Sequence, residues 1–128
     1  MIIKDINLRK IIDSRGNPTV EADIITNEGF GRAAAPAGAS TGTFEAQAWP
    51  NNNVDLGIIN ANQKIIPSLI GVSSNDQEFF DETIKEKDGT SNLRNVGGNI
   101  AVALSLACAK AAADSKNIPL FEHVSKTK

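Results

Sequence analysis

The segment Pro36-Ala37-Gly38-Ala39-Ser40-Thr41-Gly42 carries the side chains best suited to holding a charged ligand: two hydroxyls, Ser40 and Thr41, set between two glycines. Hydroxyl oxygens and backbone amides at that spacing can approach an anion or its metal, and a stretch of small residues can move as a lid. A nucleotide-phosphate loop is excluded, because neither glycine leads into Gly-Lys-Ser/Thr. Composition alone also fits a plain flexible connection.

Other candidate groups are weaker. His123 is the only histidine, near the end of the chain and with no second base or nucleophile beside it, so acid–base catalysis has no partner there. Asp76, Glu78, Asp81 and Glu82 fall close together, as a metal site would require, but one solvated helix face gives the same spacing, and a strong site needs ligands from several elements. Cys108, the only cysteine, sits in an apolar run and reads as a small packed hydrophobe in a reducing, cytoplasmic compartment.

The elements that must position these groups can be read from periodicity. Ile2 to Ile12 is rich in β-branched residues without a helical stripe, and Asp13-Ser14-Arg15-Gly16-Asn17-Pro18 forces a turn. Thr19 to Thr26 alternates, with Val20, Ala22 and Ile24 on one side and Glu21 and Asp23 on the other. Asn27-Glu28-Gly29 supplies a hairpin into a third strand, Phe30 to Ala35. After the asparagines at 51–53, Val54, Ile58, Ala61 and Ile65 recur at helical spacing until Pro67, and Gly71 closes the segment. Asn75 with Glu78 has the form of a helix start, giving a helix to about Lys87 that buries Phe79, Phe80 and Ile84 and breaks at Asp88-Gly89. A long alanine-rich helix, Gly98 to Lys116, places Ile100, Leu104, Ala107 and Ala111 on one face, and Leu120 to Val124 adds a short turn. The fold class is α+β: a three-stranded antiparallel meander followed by a small helical bundle covering one face of the sheet.

Composition narrows the function. The 128 residues are 41% apolar, enough for one domain with one core and no crosslinks. Thirteen basic and 15 acidic residues are mixed along the chain for a net charge of -2, which leaves no basic face for nucleic acid. No secretory signal opens the sequence, and the stretch from 97 to 113 is too short and too alanine-rich to span a bilayer. No transmembrane segment is expected.

Taken together, the loop at 36–42, the run Asp13-Ser14-Arg15-Gly16-Asn17-Pro18-Thr19-Val20-Glu21, the run from Val96-Gly97-Gly98-Asn99 to Ala107, and the ending Ala111-Ala112-Ala113 through Phe121 make the chain resemble the N-terminal domain of enolase, over nearly its whole length. The resemblance implies magnesium-dependent interconversion of 2-phosphoglycerate and phosphoenolpyruvate. The base lysine, carboxylate ligands and phosphate-binding groups of that reaction belong to a barrel domain of roughly 250 residues, which these 128 cannot contain. No catalytic residue is therefore expected in this chain, which alone should be inactive. By position the resemblance makes Ser40 a magnesium ligand, Ala39 a backbone contact to substrate, Gly38 and Gly42 the swing points of the loop, and Arg9 and Glu21 contacts to a partner subunit's barrel in a homo-oligomer. Arg15 falls in a motif taken as structural.

The chain also departs from the family. Ala37 replaces the usual serine, and after Glu45-Ala46 a charged run ending in Gly-Lys-Gly gives way to Gln47-Ala48-Trp49-Pro50 and the asparagines. Trp49 there is either a core anchor, the reading its type favours, or an exposed contact. The rewritten segment at 47–53 motivates a second reading, a stand-alone binding or assembly module. A third, cell-surface plasminogen binding through Lys128, competes with an ordinary solvated terminal lysine.

Overall fold

Alternation of side chains across three strands decides which way the sheet faces. The computed structural model of the chain describes residues 1–35, 49–50, 53–90 and 92–127. Strands β1 (Ile3–Ile12), β2 (Pro18–Thr26) and β3 (Phe30–Ala34) form an antiparallel sheet in the order β1-β2-β3. Val20, Ala22, Ile24 and Ala33 turn inward and are buried. Arg9 stands opposite Glu21, and Asp23 opposite Arg32, on the other face.

Both turns are built from the residues that announce them. Asp13 Oδ1 accepts the amides of Arg15 (2.9 Å) and Asn17 (2.8 Å), and Gly16 takes φ +82°, which only glycine adopts without strain. In the second turn Thr26 Oγ1 accepts the amides of Glu28 and Gly29.

The helices follow as α1 (Val54–Lys64), α2 (Ile66–Leu69), α3 (Gln77–Asp88), α4 (Gly98–Ser115) and α5 (Leu120–Thr127). Asn53 caps α1 by accepting the Leu56 amide, and Pro67 falls in the first turn of α2, where its missing N–H costs nothing. Past Gly71 the chain lies along the start of β1, with Ile3 N–H donating to Val72 O at 2.9 Å. Helix α3 begins one residue later than Asn75 would place it: Asp76 is the cap, its carboxylate accepting the Phe79 amide. Phe79 is also not buried. It is 55% exposed, because Phe80 and Ile84 already take the inward positions of that helix.

Helix α4 is the centre of the core. Ile100, Leu104, Ala107 and Ala111 are fully buried on it, against Val20 and Ile24 of the sheet and Ile65, Leu69, Phe80 and Ile84 of the other helices. Each large side chain so buried contributes about 1.5–3 kcal/mol. Alanine on α4 and glycine on the hairpin let the two backbones touch. A Cβ on Gly29 would come within 2.8 Å of Ala111 O, and one on Gly31 would collide with Ala107 O. Side chains of α4 also cover the outer edge of β3: Asp114 Oδ2 accepts the Phe30 amide and Lys110 Nζ donates to Arg32 O, leaving less unpaired edge for another chain to join. Half-buried Trp49 packs against the same core.

Candidate functional site

The residues best suited to a ligand, Gly38, Ala39, Ser40, Thr41 and Gly42, lie outside the described residues, as does Lys128. The two ends of the segment that carries them are described. On one side Ala35 is buried, its N–H donating to Val20 O at 3.1 Å and its carbonyl accepting the Thr19 hydroxyl. On the other, Pro50 is buried and its carbonyl accepts the Asn53 amide at 2.9 Å, just ahead of the α1 cap. The core therefore holds both stems.

A second anchor stands behind the start of α4. Asp88, 2% exposed at the end of α3, turns its carboxylate onto the following loop. Oδ1 accepts the amides of Asn95 (3.1 Å) and Val96 (2.9 Å), and Oδ2 accepts the hydroxyl and amide of Thr90. This sets the course into Gly97, whose φ of +87° begins α4. In the sequence Asp88 reads only as half of a helix-breaking pair.

Arg9 and Glu21 do come together, but within this chain. Arg9 Nε and Nη2 donate to Glu21 Oε1 at 2.9 and 2.6 Å. The same guanidinium donates to both oxygens of Asp23 at 2.9 Å. Arg32 takes Asp23 from the opposite side, Nε to Oδ1 at 2.7 Å and Nη2 to Oδ2 at 3.2 Å, with its own guanidinium 5.2 Å from the Phe30 ring centre. Two arginines from the outer strands thus fork onto one carboxylate of the central strand. Asp23 is only 6% exposed on the outward face because they cover it. Its carboxyl is lowered to about 2, first by the hydrogen bond from Arg32 and then by Arg9, against the opposing effect of burial. Both arginines are raised in turn, each chiefly by Asp23. Neither Asp23 nor Arg32 stands out in the sequence as functional; the signal there is charge on the outward positions of three adjacent strands.

The remaining candidates are structural. His123 is 1% exposed, with Nδ1 3.0 Å from Lys116 Nζ, and burial followed by that ammonium pushes its pKa down. Cys108 is buried, its thiol facing Ser74 O at 3.4 Å, and burial pushes its pKa up. The acidic residues of α3 do not converge. Asp76 caps the helix, while Asp81 meets Gln77 and is raised by burial. Glu78 and Glu82 are exposed beside Phe79, along a cavity of about 280 Å³. Among the described residues no group of three or more His, Cys, Asp or Glu could hold a metal ion. No described helix is long and apolar enough to cross a membrane.

Comparison with known proteins bears on the whole chain. The family model described as "Enolase, N-terminal domain" matches residues 3–124. The enolase of Methanosphaera stadtmanae is 54% identical over 121 residues, covering 94% of this chain and 29% of that protein. That of Methanothermobacter thermautotrophicus is 55% identical over 120 residues, covering 94% and 29%. That of Methanocorpusculum labreanum is 55% identical over 123 residues, covering 95% and 30%. The chain thus spans less than a third of the length of the curated relatives it matches.

Proposed function

The chain belongs to the enolase family, matching its N-terminal domain, and from that premise we propose that it is the capping domain of an enolase interconverting 2-phosphoglycerate and phosphoenolpyruvate in glycolysis and gluconeogenesis, in the cytoplasm. The observation that carries this reading is the family match across residues 3–124 together with relatives of about 50% identity that extend far beyond the matched part.

In this role residues 1–128 form one domain that contributes no catalytic residue of its own. Its part is the segment Gly38, Ala39, Ser40, Thr41 and Gly42, which covers the substrate bound in a barrel supplied in cis or in trans. Ser40 adds a hydroxyl to a magnesium ion whose other ligands belong to that barrel, and Ala39 offers its backbone to the substrate. The metal, when bound, stabilises the negative charge that develops on the substrate. The buried stems at Ala35 and Pro50 support this reading, since a cover must be fixed where it joins the domain. Arg9 and Glu21 serve contact with a second subunit in a homo-oligomer.

One observation favours a second reading, a binding or assembly module without catalysis. Arg9 donates to Glu21 and to Asp23 inside the chain, so its pairing with Glu21 needs no partner.

The test follows absorbance of phosphoenolpyruvate when the pure chain meets 2-phosphoglycerate and magnesium, alone and with the region of the M. thermautotrophicus enolase beyond the matched part. Activity in the mixture only is expected. Silence in both favours the module, and activity of the chain alone overturns the proposal.

A further inference from the structure

Helix α5 is seated by a group that can change its charge. Of its described side chains, Leu120 to Val124, only His123 is buried, whereas Phe121 is 75% exposed and Val124 39%. The helix packs chiefly on α4. Between the two, Asn117 takes φ +59°, which asparagine tolerates better than most residues, and the Ile118 amide donates to Ala113 O at 3.0 Å. The turn ties the start of α5 to α4, and His123 pins it one turn further on.

That pin has a defined protonation state. An ammonium has donors and no acceptor, so Lys116 Nζ, 3.0 Å away, makes His123 Nδ1 the accepting nitrogen and leaves the ring proton on Nε2. Lys116, at the end of α4, is the charge that acts on the ring from that helix. Asp114 beside it accepts the Phe30 amide, and Glu122 is the neighbouring acid on α5 itself. A proton added at Nδ1 removes the acceptor and sets two cations against each other where water has little access. His123 is the only histidine of the chain, and imidazole is the only side chain whose ordinary titration falls between pH 5 and 8.

We propose that His123 and Lys116 form an acid-released latch: protonation of Nδ1 from solvent breaks their hydrogen bond and unseats α5 from α4, while the sheet and the buried part of α4 stay folded. The folded ring takes up a proton less readily than an unfolded one, through burial first and Lys116 second. The latch therefore holds α5 fully above the ordinary value of 6.5 and loses its hold as pH falls through the folded value.

The test measures amide exchange of the pure chain from pH 7 to pH 5, corrected for the intrinsic rate, at residues 122–127 with β2 as the reference. Protection in α5 is expected to fall about 5-fold or more relative to β2. Asp23 contributes only at lower pH and Asp81 acts with the opposite sign, so neither produces a loss in this range. His123→Gln keeps an oxygen for Lys116 and takes up no proton here, so its α5 protection should follow β2 throughout. The latch is overturned if α5 of the unaltered chain follows β2, or if His123→Gln shows the same fall. Should His123→Gln fail to fold, Lys116→Gln decides: without the ammonium the fall becomes shallower, and an unchanged fall overturns the pairing.

Discussion

Gly31 of β3 and Ala107 of α4 meet backbone to backbone, with no room for even one added carbon between them. This contact, with Gly29 against Ala111, seats the central helix on the edge of the sheet. Gly31→Ala forces strand and helix apart, and overpacking of this kind costs about 1–3 kcal/mol. The expected result is a lower urea midpoint at unchanged slope. An unchanged midpoint would mean that the helix shifts freely on the sheet.

Asp88 organises the approach to α4, and its loss leaves the amides of Asn95 and Val96 without acceptors. The Val96 amide is buried, so Asp88→Ala should cost about 2–4 kcal/mol from unsatisfied donors and a lost loop anchor. Amide exchange should speed up first at residues 90–96. Uniform acceleration across the domain would contradict a local role.

Much of this architecture was legible. Val20, Ala22 and Ile24 against Glu21 and Asp23 gave the sides of β2, and Ile100, Leu104, Ala107 and Ala111 gave the buried face of α4, because periods of two and of 3.6 are direct consequences of backbone geometry. Phe79 is exposed where the sequence predicts burial, because Phe80 and Ile84 already define the inward stripe and periodicity does not say which of two adjacent aromatics joins it. The helix start slipped from Asn75 to Asp76 because both residue types cap, and the choice depends on loop geometry. At the site, the outward charges of β2 were visible, but the grip of two arginines on Asp23 was not. It depends on strand register, which places Asp23 opposite both Asn7 and Arg32 with Arg9 one step along the same face.

Asp23 should leave a mark on the acid limb of stability. Its carboxyl is depressed in the folded state to about 2 from an ordinary value of 3.8. Stability from this group is therefore fully present above about pH 4 and lost as pH falls through about 2. Allowing for solvent screening at the half-exposed arginines, it amounts to about 1 kcal/mol. Asp23→Asn should be less stable than the unaltered chain at pH 6, with the gap closing between pH 4 and 2. A gap independent of pH would assign the loss to packing.

Asp81 should behave with the opposite sign. Burial raises its carboxyl, against hydrogen bonds from Ser105 and Gln77 that lower it. The charged form is thus disfavoured by folding, and stability is gained as pH falls through the folded value. Asp81→Asn, which keeps an oxygen for Gln77, should melt higher than the unaltered chain at pH 7, with the advantage shrinking in acid. A lower melting temperature at pH 7 would show that the hydrogen bonds outweigh desolvation.

Cys108 offers a probe of the whole core. Its thiol is buried on α4 beneath Ser74, and burial, with the charges of Asp81 and Asp76, pushes it well above the ordinary thiol range. A thiol that is neither exposed nor ionised reacts only after the helix opens. Labelling by a thiol-specific disulfide reagent should therefore run roughly 1,000-fold or more slower than for a free thiol, as an opening free energy of about 5 kcal/mol requires. The rate should rise in Gly31→Ala in proportion to its lost stability, since both residues depend on the seating of α4. Rapid labelling of the native chain, or labelling that ignores Gly31→Ala, would show that α3 and the Ser74 segment lift from α4 without global unfolding.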